Sequence, residues 1–134
     1  MNFTKTTSYS LNVLSYLAKH GNIRMSASYL HEKLGIPFSY LRQVLSELSK
    51  KGFIDSNRGR GGGFIISRDI STIYMADIIE GTEGLDSLNR CVMGFSKCPF
   101  NYGCSIHPVW VEMRTNILNV LKKTSLADLN KIRK

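Results

Sequence analysis

No helix and no central strand can run through Arg58-Gly59-Arg60-Gly61-Gly62-Gly63, where four of six positions lack a side chain. The segment is a turn. It separates Phe53-Ile54-Asp55-Ser56-Asn57 from Phe64-Ile65-Ile66-Ser67, two short runs that such a turn pairs as antiparallel strands. A basic hairpin is predicted. No Gly-Lys-Ser or Gly-Lys-Thr follows and no G-x-G-x-x-G is complete, so the glycines do not form a phosphate-binding loop.

The segments before this hairpin are helical. Leu11, Val13, Leu14, Leu17 and Ala18 recur at helical spacing between Tyr9 and Ala18, with Ser10, Asn12 and Ser15 between them. Ser26 and Gly35 frame a second, short helix as N-cap and C-terminal glycine. After Ile36-Pro37, Leu41, Val44, Leu45 and Leu48 fall at i, i+3, i+4 and i+7, leaving Ser39, Arg42, Gln43 and Ser46 on the other face. Two short helices joined by a tight turn, the second polar on its free face, make a helix-turn-helix, and a basic hairpin after it reads as a wing.

The charge distribution agrees with a polyanionic partner. The 134 residues carry net charge +8, and residues 1–70 hold 10 basic and 4 acidic side chains against 8 and 6 in residues 71–134. A wing tip lined by glycine lets Arg58 or Arg60 approach a phosphate backbone or enter a minor groove. No nucleophile paired with a base and no phosphate loop stands out, so an enzyme is not expected. No apolar stretch is long enough for a membrane helix, and a cytoplasmic protein without membrane association is predicted.

Beyond the wing, Ser71 is the predicted cap of a further helix containing Ile73, Ala76 and Ile79 and ending near Gly81. Residues 82–104 then lose periodicity and contain all three cysteines, Cys91, Cys98 and Cys104. The odd count argues against a disulfide framework. With His107 they read C-x6-C-x5-C-x2-H, a set of soft thiolates and one imidazole suited to an iron-sulfur cluster or to zinc. Zinc favours shorter C-x2-4-C spacings, which leans the reading towards a cluster, with structural zinc as the rival. Pro108 suits the first turn of a last long helix, along which Trp110, Met113, Ile117 and Val120 alternate steps of three and four as a dimer seam would.

The helix-turn-helix with Ser39-Tyr40-Leu41, the run Arg58-Gly59-x-Gly61-Gly62-Gly63-Phe64, the three cysteines and the closing Ser125-Leu126-Ala127-Asp128-Leu129 together resemble the Rrf2 family. Its members are bacterial winged-helix regulators of the IscR-like and NsrR-like kinds, and the resemblance spans nearly the whole chain. It implies a homodimeric repressor whose affinity for a double-stranded operator is controlled by a 2Fe-2S or 4Fe-4S cluster sensing nitric oxide, redox state or iron-sulfur supply. It further implies that Cys91, Cys98, Cys104 and His107 hold the cluster. Some nitric-oxide sensors take an acidic ligand from the partner's first helix, but Thr7-Ser8-Tyr9 offers no carboxylate there. The implied DNA contacts are Ser39, Tyr40, Arg42 and Gln43 on the recognition helix and Arg58 and Arg60 on the wing. Arg42 stands where IscR-like helices carry glutamate, which implies a different operator.

The predicted fold is therefore mainly α with a small β-hairpin. Residues 1–81 form the winged helix-turn-helix, 82–104 the cysteine loop, and 105–134 the dimerisation helix and tail, within one compact domain.

Overall fold

The computed structural model describes residues 3–21 and 23–131; the outermost residues of the predicted segments 1–81 and 105–134 lie outside that range. Helix α1 (Lys5–His20) begins at Thr4, whose side chain accepts the Thr7 N–H, and buries Val13, Leu14, Leu17 and Ala18. Helix α2 (Ala27–Leu34) is capped as its sequence dictates. Ser26 accepts the Tyr29 N–H, and Gly35 takes the left-handed conformation at φ 70°. Helix α3 (Phe38–Lys50) starts directly after Pro37 and turns Leu41, Val44, Leu45 and Leu48 into the interior. These stripes form one apolar cluster in which Leu14, Leu30 and Leu41 are fully buried.

Strands β1 (Ile54–Asn57) and β2 (Gly63–Ile66) pair antiparallel, Ile54 opposite Ile66 and Asn57 opposite Gly63. The hairpin is not free-standing. Met25 and Phe64 exchange backbone hydrogen bonds of 3.0 and 2.8 Å, which stitches the wing to the chain entering α2. The mainly α architecture with a two-stranded wing is as the sequence predicts.

One predicted cap is corrected. Ser71 lies inside a 3-10 turn (Ile70–Thr72), where Asp69 accepts both its N–H and its hydroxyl at 2.9 and 2.8 Å. Ile73 is extended, so α4 starts only at Met75 and runs to Thr82, with the Asp77 carboxylate accepting the Tyr74 N–H at 2.9 Å. The reason is tertiary: Ile73 is fully buried, and its carbonyl accepts the Leu126 N–H at 2.8 Å.

A second 3-10 turn (Leu85–Asn89) opens the cysteine loop, and α5 (Ile106–Lys123) follows the loop. The chain closes with the short α6 (Leu126–Leu129), which Ser125 and Asp128 cap reciprocally. Leu126 enters the same cluster as α1 and α3, so the closing segment belongs to the core built by the N-terminal helices. Asn130 Nδ2 adds a bond to the Ala18 carbonyl at 3.1 Å. Among the described residues, no helix is long and apolar enough to cross a membrane.

Leu126→Ala should cost about 2–5 kcal/mol, as deletion of a fully buried leucine does. Leu129→Ala, at a position 46% exposed, should stay within about 0.5 kcal/mol. Urea unfolding of the two variants checks the assignment, and equal stabilities would exclude Leu126 from the core.

Candidate nucleic-acid interface and cysteine cleft

Helix α3 presents an exposed row of Ser39, Arg42, Gln43 and Ser46, because the stripe Leu41, Val44, Leu45 and Leu48 consumes the opposite face. The Arg42 guanidinium lies over the Phe38 ring at 5.9 Å, and the side chain is exposed. Glu47, the acidic residue on this helix, pairs with Lys50 at 3.6 Å rather than with Arg42. Tyr40 differs from its neighbours. It is half-buried, its hydroxyl shares a 2.7 Å hydrogen bond with Thr6 Oγ1, and its ring meets Tyr9 edge-on at 5.0 Å. Tyr40 thus ties α3 to α1.

Arg58 and Arg60 are both exposed at the wing tip. The tip is tightly built around them. A Cβ on Gly62 would lie 2.4 Å from the Asn57 carbonyl oxygen, and one on Gly63, at φ 125°, would lie 2.6 Å from the Met25 carbonyl oxygen. Gly63 is therefore what permits the Met25–Phe64 bridge, and Arg24 Nη1 reaches the Gly63 carbonyl at 3.4 Å. Nothing in the sequence announces this bridge, since Ile23-Arg24-Met25 is too short an alternation to read as a strand.

The cysteine loop forms a cleft of 790 Å³ against the start of α5. Cys91, Cys98, Cys104 and His107 all line it, each half-buried. All three thiols are free, and the Tyr102 N–H approaches Cys98 Sγ at 3.2 Å, the kind of bond that steadies a thiolate. Asn101 and Tyr102 turn the loop with φ of 51° and 62°. Among the described residues, no three cysteine, histidine or carboxylate side chains converge tightly enough to hold a metal ion. The donor chemistry fits an iron-sulfur cluster or zinc: three soft sulfurs and an imidazole open on one cavity, flanked by Arg90.

On α5 the predicted seam divides. Met113 and Val120 are 51% and 61% exposed and Ile117 is half-buried, in line with exposed Val109 and Ile106. Trp110 instead is buried in its own chain, where its indole Nε1–H donates to the Arg90 carbonyl at 2.7 Å. One turn on, Arg114 Nη1 donates to the Asn89 carbonyl at 3.0 Å. These two side chains clamp the entry of the cysteine loop onto α5. No sequence signal announces a clamp between positions 20 residues apart.

A family model described as Rrf2, iron-dependent transcriptional regulator, matches residues 3–132. The HTH-type transcriptional regulator IscR of Xenorhabdus nematophila is 30% identical over 132 residues, 98% of this chain and 80% of that one. The putative HTH-type transcriptional regulator ORF2 of Azotobacter vinelandii is 32% identical over 130 residues, 96% of this chain and 79% of that one. Among solved structures, IscR of T. potens matches with a TM-score of 0.69 at 27% identity, covering 96% of this chain and 85% of its own. CymR, the global cysteine regulator of B. subtilis, matches with a TM-score of 0.77 at 24% identity over 97% and 96% of the two chains, a likeness of fold. These relatives are transcriptional regulators, in agreement with the expectation that the chain is not an enzyme.

Gly63→Ala should destabilise the protein by about 1–3 kcal/mol, the cost of a side chain forced into a left-handed, crowded position. Hydrogen exchange should accelerate first at the Met25 and Phe64 amides. Unchanged protection there would show that the wing does not depend on the bridge.

Proposed function

The chain belongs to the Rrf2 family of DNA-binding transcriptional regulators, and from that premise we propose that it is a homodimeric repressor whose operator affinity follows the state of an iron-sulfur cluster. The observation that carries this reading is the shared cleft, on which Cys91, Cys98, Cys104 and His107 all open. In this reading the three thiolates and the imidazole hold the cluster, which when bound supplies a group that nitric oxide, oxidants or a shortage of iron-sulfur supply can alter. The half-buried position of the donors admits such small reactants.

Ser39, Arg42 and Gln43 are the side chains of α3 free to meet base edges in the major groove, and Arg42 carries donors suited to guanine. Tyr40, committed to Thr6, orients the helix instead of reading bases. Arg58 and Arg60 extend from the wing towards the minor groove and the phosphates. A second copy of the chain covers the exposed Met113 and Val120 and the half-buried Ile117 between them, and the two wings and recognition helices then address two half-sites. The clamp from Trp110 and Arg114 places the loop against this same helix, so a change at the cysteines bears on the element that spaces the half-sites.

Two measurements test the reading. Protein purified without oxygen should be brown and contain iron and sulfide, and Cys98→Ser should be colourless yet folded, because no residue of the cysteine loop belongs to the main apolar cluster. Colourless wild-type protein with stoichiometric zinc, and collapse of the fold in Cys98→Ser, would establish the structural-zinc alternative. Separately, Arg58→Ala should weaken binding to the preferred operator more than to random duplex; equal losses would reduce Arg58 to a phosphate contact.

A further inference from the structure

The first turn of α1 is bonded on both sides. On one side Thr6 Oγ1 meets Tyr40 of the recognition helix at 2.7 Å. On the other, the Thr4 N–H donates to Glu83 Oε1 at 3.0 Å, and Thr7 and Thr82 share a hydroxyl bond of 2.7 Å. Thr7 is fully buried, which shields its side of this contact from water. Thr4 is the N-cap residue of α1, and its side chain and carbonyl in turn accept the Thr7 and Ser8 N–H groups at 3.2 and 3.0 Å. The Glu83 carboxylate therefore holds the residue on which the first helical turn is hung.

From Glu83 the chain leads to the cysteine loop with little slack. Gly84 turns it at φ 85°, and the Leu85 N–H donates to Glu80 Oε2 at 2.8 Å. Leu88 is buried at 3% exposure, and the Asn89 and Arg90 carbonyls are the two acceptors clamped by Arg114 and Trp110. The next residue is Cys91. The Arg90 charge also acts back on Glu83. Partial burial opposes ionisation of this carboxyl, but the Thr4 N–H, neighbouring hydroxyls and Arg90 hold it below its ordinary range. At neutral pH it is a charged acceptor.

We infer that Glu83 is a positioning residue that connects the cysteine loop to the recognition helix within one subunit, through the first turn of α1 and the Thr6–Tyr40 bond. The inference rests on the cluster-responsive reading above and specifies its route. A displacement of Cys91 moves the segment from Leu85 to Arg90 as a unit, because that segment is a hydrogen-bonded turn pinned at both ends. Glu83 passes the displacement to Thr4, and Tyr40 passes it to α3. The route needs no residue of the partner and no carboxylate in α1.

The test has two arms. In the first, a duplex selected from a random pool by wild-type protein is titrated with cluster-loaded and cluster-free protein. Glu83→Ala should shrink the affinity ratio between the two forms by about two- to thirtyfold. Glu83→Gln, which keeps an acceptor oxygen for the Thr4 N–H, should restore most of it, and Tyr40→Phe should mimic the loss. Equal weakening of both forms by Glu83→Ala would make Glu83 merely structural and overturn the inference.

The second arm needs no cluster. In the Cys98→Ser background, Glu83→Ala should speed hydrogen exchange about two- to tenfold at Ser8 in α1 and also at Leu41 in α3. Acceleration confined to α1 would break the route at Tyr40 and overturn the inference. If wild-type protein binds DNA equally with and without cluster, cluster control fails, and the exchange arm still decides whether Glu83 reaches the recognition helix.

Discussion

The packing of Val13, Leu14 and Leu17 on α1 against Leu41, Val44, Leu45 and Leu48 on α3 is the contact on which the rest of the molecule depends. A recognition helix of 13 residues is too short to be stable alone and must take its stability from the face it buries. By burying that stripe completely, the core determines which residues remain outside: Ser39, Arg42, Gln43 and Ser46 are exposed because the helical period turns them away from it. The wing is referred to the same frame. β1 begins with the buried Ile54, and Phe64 of β2 packs on the cluster while its backbone pairs with Met25. Helix and hairpin are thereby held by one body.

The cysteine loop stands outside this frame. Val92, Met93, Phe95 and Phe100 are exposed, and apart from the buried Leu88 at its entry the loop is attached by directional bonds. Hydrophobic burial would make the loop part of a cooperative core, where any change in it would cost fold stability. Hydrogen bonds at its entry hold it in place for much less, on the order of 1 kcal/mol each. A loop fastened in this way can change without unfolding the helix-turn-helix. Leu126 works in the opposite sense. By entering the core just after α5, it fixes the far end of that helix to the helix-turn-helix half.

Local physics made much of this readable in advance. Ser26 and Gly35 bound α2 because a hydroxyl acceptor and an unhindered left-handed residue are needed at those ends whatever surrounds them. The stripe on α3 was readable because the helical period alone decides which residues share a face. The glycine run could only be a turn. Ser71 misled for an equally physical reason. It has the chemistry of a cap, but Asp69 already engages it, and Ile73 is held extended by the closing segment more than 50 residues later. Trp110 was grouped with Met113 and Val120 by spacing, yet its indole N–H finds its acceptor in the loop.

The sequence by itself determined the first three helices and their buried faces, the hairpin, the basic half and the soft-donor set, because each follows from neighbours within a few positions. Tertiary structure alone decided that Met25 carries the wing, that Trp110 and Arg114 clamp the loop, that Thr4 meets Glu83, and that Leu126 enters the core. Thr4 and Glu83 lie 79 positions apart, and Ala18 and Asn130 lie 112 apart. A hydrogen bond depends on a few tenths of an ångström and on direction, whereas periodicity specifies only a face. The partners that position the site become definite only when the faces have packed.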